Sequence, residues 1–96
     1  MSRSVVERRL SEVAERLKAV RRDLAVADEQ LAHFDGEADD ARLRALVSET
    51  PLGEKDFREA QKHADAMRSH RADLAAELAQ LEQTQDELLD RLLAEP

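Results

Sequence analysis

The 96 residues contain no cysteine, no tryptophan and no tyrosine, and only two each of phenylalanine, glycine and proline. Without cysteine there is no disulfide framework and no thiolate metal site. With so few rings and turn formers there is little from which to build a sheet. No apolar run approaches the roughly 20 residues needed to span a bilayer. The start, Met1-Ser2-Arg3-Ser4-Val5-Val6-Glu7, lacks the apolar core of a signal peptide, so a cytoplasmic location is expected. Basic residues are outnumbered, and the formal net charge is −7. Phosphate contacts need a clustered basic surface, so neither nucleic acid nor an anionic membrane is expected as a partner.

What the chain has in quantity is Ala, Leu, Glu, Arg, Asp and Gln, with 39% of residues charged. That is the composition of long helices and coiled coils. A disordered chain can be as charged, but its apolar residues would not be evenly spaced. Here Val6, Leu10, Val13, Leu17, Val20, Leu24, Ala27, Leu31 and Phe34 follow one another four and three apart without a fault. This 3.5-residue repeat keeps one helix face on a partner for many turns. A second seam runs through Phe57, Ala60, Ala64, Met67, Arg71, Leu74, Leu78, Leu81, Gln85, Leu88 and Leu92. Its two polar members, Arg71 and Gln85, lower stability but can fix register and partner choice.

Between the seams the pattern changes. Asp35-Gly36 is a candidate helix stop, because Gly readily takes the left-handed conformation beyond a C-terminus. Leu43, Leu46 and Val47 lie off the first seam, which would otherwise continue through the small residues Ala38, Ala41 and Ala45. Thr50-Pro51 is a helix start, with Thr as cap and Pro at the first helical position. The expected fold is therefore all-α: a long antiparallel coiled-coil hairpin forming a single domain over 1–96. Its helices are expected at about 4–34 and 51–94, with a short helix at about 40–49 packing at the bend through Leu43, Leu46, Val47, Leu52 and Phe57. In this arrangement Phe34 opposes Ala60, Leu31 opposes Ala64 and Ala27 opposes Met67. An unbroken first helix turning near Thr50 would mesh the same seams one heptad away, and Gly36, worth about 1 kcal/mol against a helix relative to Ala, favours the broken version.

The bend would then present Asp35, Glu37, Asp39 and Asp40 as an acidic tip. Alternating acids open a calcium loop, but the twelfth position, where a bidentate Glu belongs, holds Leu46, so capping and solvation are the simpler role. The short run Leu17-Lys18-Ala19-Val20-Arg21-Arg22 is similar to a stretch in the Gre transcript-cleavage factors. Those are bacterial hairpins that carry acids at the tip into the secondary channel of RNA polymerase. Their Asp-Leu followed by Glu-Asn has no counterpart here, nor do these residues supply their second globular domain. A second resemblance is to the coiled-coil anti-sigma factor of actinomycetes that binds cyclic di-GMP. Glu7 and Ser11 match its motif, but Ala14, Lys18 and Arg22 stand where Arg, Gln and Asp belong. Sequestration of a transcription factor is the part of that resemblance the residues leave open.

His33 and His63 lie near each other in the expected register, with Glu59 one turn from His63; solvated helix faces account for them more simply than zinc does. No Gly-rich phosphate loop and no nucleophile–base spacing occurs, so neither catalysis nor a cofactor is expected. Leu88, Leu89, Leu92 and Leu93 make an apolar face broader than one partner helix covers, and Val5 arrives at the same end. Surplus apolar surface on a small protein points to self-association or a partner. Val5, Leu89 and Leu93 are thus a candidate interface, most simply of a homodimer forming a four-helix bundle. The expected function is non-enzymatic protein binding, as a bacterial cytoplasmic regulator or adaptor, with transcription as one setting for it. The alternatives are a structural homo-oligomeric coiled coil and a small ligand- or metal-sensing helical protein.

Overall fold

The computed structural model describes residues 1–94; Glu95 and Pro96, the last two positions of the expected domain, lie outside the described residues. The fold is a helical hairpin. Helix α1 spans Arg3–Ser48, helix α2 spans Pro51–Ala94, and the two pack against each other. No helix is long and apolar enough to cross a membrane among the described residues.

Both helix starts are capped by hydroxyls. Ser2 Oγ accepts from the Val5 backbone N–H at 3.3 Å, and Thr50 Oγ1 accepts from that of Gly53 at 3.1 Å. Each satisfies a donor that the first turn leaves unpaired. Pro51 follows Thr50 as the first residue of α2, where its missing N–H costs nothing. At the other side of the turn Glu49 holds φ at 51°, and its N–H donates to the Ala45 carbonyl at 3.0 Å. This is the left-handed cap that ends helices, occupied by a residue with a β-carbon where Gly is the usual choice.

The short helix expected at 40–49 is corrected: α1 passes through Asp35, Gly36 and Asp40 without a break. The seam continues instead through Ala38, Ala41 and Ala45, all buried. The reason is energetic. Stopping at Gly36 would leave the last carbonyls of one helix and the first N–H groups of another without partners. Gly36 within a helix costs only about 1 kcal/mol, and a β-carbon there would meet nothing within 4 Å.

The register is corrected as well. A β-carbon placed on Gly53 would lie 3.3 Å from the Ala45 α-carbon, so the two backbones approach closely at the turn. Counting both seams outward from that contact sets Ala41 against Phe57, Ala38 against Ala60, Phe34 against Ala64 and Leu31 against Met67. The stacking of the Phe34 and His63 rings, centroids 6.0 Å apart, fits this count. The layers fall half a heptad from the expected ones, and half a heptad from the unbroken alternative. A turn of only two residues, Glu49 and Thr50, leaves no slack for either.

Packing divides into two compact units, Met1–Leu24 with the chain from Leu74 on, and Ala25–Asp73. In the first, Val6, Leu17, Val20, Leu74 and Leu88 are buried. Each fully buried Leu or Val contributes about 1.5–3 kcal/mol. Arg16 grips Glu77 with two hydrogen bonds, Nε to Oε2 at 2.6 Å and Nη2 to Oε1 at 2.8 Å. In the second unit the core is small: Ala27, Ala38, Ala41, Ala45 and Ala64. Cross-helix ion pairs join Arg68 to Asp35 at 2.7 Å and Arg71 to Asp28.

Three stability changes are expected. Gly36→Ala raises the unfolding free energy by about 0.5–1 kcal/mol, since it removes backbone entropy from the unfolded chain at an open helical site. Glu49→Gly raises it by about 1 kcal/mol by relieving the left-handed cap. Urea titrations of both variants measure these. The hydrogen bond from Arg16 holds the Glu77 carboxyl below the usual carboxylate range. Its folded pKa is thus below its unfolded one, so its contribution is present above the unfolded value and is lost as pH falls through the folded one. Glu77→Gln should flatten that acid limb when thermal midpoints are compared at neutral and acid pH.

Candidate functional site

The hairpin turn carries the most conspicuous surface feature. Once Ala38, Ala41 and Ala45 hold the seam, Leu43, Leu46 and Val47 are forced onto the outer faces of α1. Val47 is 86% exposed, Leu43 62%, Leu46 61%, and Leu52 on α2 is 66% exposed. The expectation that these four pack a bend helix is therefore corrected: they stand in solvent, and only Phe57 of that group is half-buried. Four large apolar side chains within ten residues of one another are not the scattered exposure common on soluble surfaces.

Two grooves flank the turn. One, of about 550 Å³, runs between the helices beside Leu43, Val47 and Leu52, with Arg44 on the α1 side and Asp56 on the α2 side. Ala41 and Gly53 form part of its lining. Because the seam residues here are so small, the helices close on each other and the longer side chains project past them. The other groove, of about 390 Å³, lies beside Leu46 and Pro51, and its charged rim is Glu49 and Glu54.

The four acids expected at the tip are elsewhere. Asp35, Glu37, Asp39 and Asp40 lie within α1, at least nine residues before the turn. Asp35 is half-buried and paired with Arg68, while Glu37 lies 3.8 Å from His33 Nε2. Asp39 and Asp40 are exposed. The cause is the helix that runs through Gly36, which carries the acids along its flank and leaves Glu49-Thr50 as the true turn.

His33 and His63 do come to the same region, but the Phe34 ring contacts both, with centroids 5.5 Å from His33 and 6.0 Å from His63. No group of three His, Cys, Asp or Glu is placed to hold a metal ion among the described residues. Arg71 keeps its seam position half-buried while Nε donates to Asp28. That is a packed stem with its charged head at the surface. Gln85 is likewise half-buried in the seam. In the unit that contains the first residues, Val5 is half-buried, Leu89 is exposed and Leu93 is 83% exposed.

No protein-family model, curated protein or solved structure matches the chain.

In the sequence the apolar turn is hidden, because Leu43, Leu46 and Val47 have the spacing of a core stripe. The signal that locates them is the seam itself: extended through the alanines, it assigns all three to outer positions. At concentrations where the chain is monomeric, Leu43→Ser and Val47→Ser each change the unfolding free energy by no more than about 0.5 kcal/mol. Leu17→Ala, in the core, costs about 2–5 kcal/mol. Parallel urea titrations distinguish the two kinds of site.

Proposed function

We propose that this chain is a non-catalytic protein-interaction module, a regulator or adaptor of a bacterial cytoplasm built on an antiparallel coiled coil. The observation that carries this reading is the set of large apolar side chains left in solvent at the turn. Keeping such residues exposed costs solubility, and burial of apolar anchors is what drives association of proteins. The packed helical pair beneath them supports the reading, because anchors on a packed scaffold lose little conformational entropy when a partner covers them. The far end, with Val5, Leu89 and Leu93, offers a second and smaller surface for the same purpose.

The test is affinity capture from host lysate with three baits: the full chain, a Leu46→Glu variant, and a Val5→Glu, Leu89→Glu, Leu93→Glu variant. The expected result is one stoichiometric partner, whose purified form binds the full chain directly. One of the two variants should weaken that binding by at least about tenfold, the effect of removing an interface anchor. If the full chain retains nothing but itself, the adaptor reading fails and a structural homo-oligomer takes its place.

A further inference from the structure

The groove beside Leu43, Val47 and Leu52 has a property that the one beside Leu46 lacks: its two rims carry opposite charge. Arg44 stands on α1 and Asp56 on α2. Neither takes part in an ion pair among the described residues. We infer that this groove is closed by a second copy of the chain, docked face to face about a two-fold axis parallel to the helices. The inference rests on the proposal that the apolar turn is an interaction surface, and names the occupant of one of its faces.

The geometry follows from symmetry. A two-fold axis of that direction lays α1 of one copy on α2 of the other, because a two-fold contact presents the same patch from both sides. Leu43 and Val47 then cover the partner's Leu52, and Arg44 meets the partner's Asp56. The pair forms twice, once on each side of the axis. An axis across the helices would instead bring Arg44 onto the partner's Arg44, a like-charge contact that disfavours it. The groove beside Leu46 cannot pair with itself in either way, since Glu49 and Glu54 would oppose acids. The turn also carries little net charge. Residues 42–58 contain four cations, Arg42, Arg44, Lys55 and Arg58, against the three acids Glu49, Glu54 and Asp56, in a chain of net charge −7.

Sedimentation equilibrium of the full chain over a range of concentrations tests this, with helicity and thermal midpoint as folding controls. The expected result is a reversible monomer–dimer equilibrium. Val47→Glu with Leu52→Glu leaves a monomer of unchanged helicity. Arg44→Glu weakens the dimer by at least about tenfold, and the exchange Arg44→Glu, Asp56→Arg returns it to within about threefold of the original, as expected of directly coupled charges. A chain monomeric at every concentration overturns the inference. So does a dimer that persists in Val47→Glu, Leu52→Glu, or an exchange variant no better than Arg44→Glu alone. Binding of a different protein at the turn by a monomeric chain would overturn the dimer while sustaining the interaction module; absence of both would remove the two together.

Discussion

Everything in this fold depends on an alternation of four and three that never falters. From Val6 to Ala45 on α1, and from Gly53 to Leu92 on α2, every step along the seam is one or the other. An α-helix with that repeat has a single stripe that one neighbour can cover. The stripe is wide and aliphatic in the unit that contains the first residues, where Val6, Leu17 and Val20 are almost completely covered. Toward the turn the same stripe is nearly all alanine, and it holds by closeness of approach instead of by bulk. The surface then follows from the core: large side chains that have no place in a narrow seam must point outward.

That trade explains what could and could not be seen in the sequence. The two long seams, the Thr50-Pro51 start and the all-helical class are visible because each is a local pattern with a local cause. The run from Asp35 to Val47 is not, because two patterns compete there. Leu43, Leu46 and Val47 form the more hydrophobic stripe, and Gly36 with its acidic neighbours has the look of a stop. The winning pattern, Ala38, Ala41 and Ala45, is weaker residue by residue but continuous with everything before it. Burying three leucine-sized side chains would have required a helix to end and another to begin. Gly36 alone is too small a penalty to force that. The register was hidden for a related reason, since a repeat meshes at more than one offset and only the two-residue turn selects among them.

The site shifts for the same reason: a bend at Gly36 would give the hairpin an acidic end, and the turn at Glu49-Thr50 gives it an apolar one instead. Arg71 and Gln85, by contrast, keep the positions their spacing assigned, since seam membership is a matter of counting. For Arg71 the count also explains its chemistry: a long stem lies along the seam, and its guanidinium reaches Asp28 at the surface.

The left-handed Glu49 has a wider consequence. It is the joint that lets α2 start with only two residues between the helices, and with Thr50 it fixes the phase between the two rails of the hairpin. Because the rails repeat every seven residues, the chain has a natural unit of length. Removing one heptad from each arm, the same distance from the turn, would preserve the turn, its grooves and the phase of every remaining layer. Removing a heptad from one arm alone would leave the other overhanging. The architecture can therefore lengthen or shorten by paired sevens while its apolar turn stays intact, so the length of the arms and the character of the turn are separately adjustable.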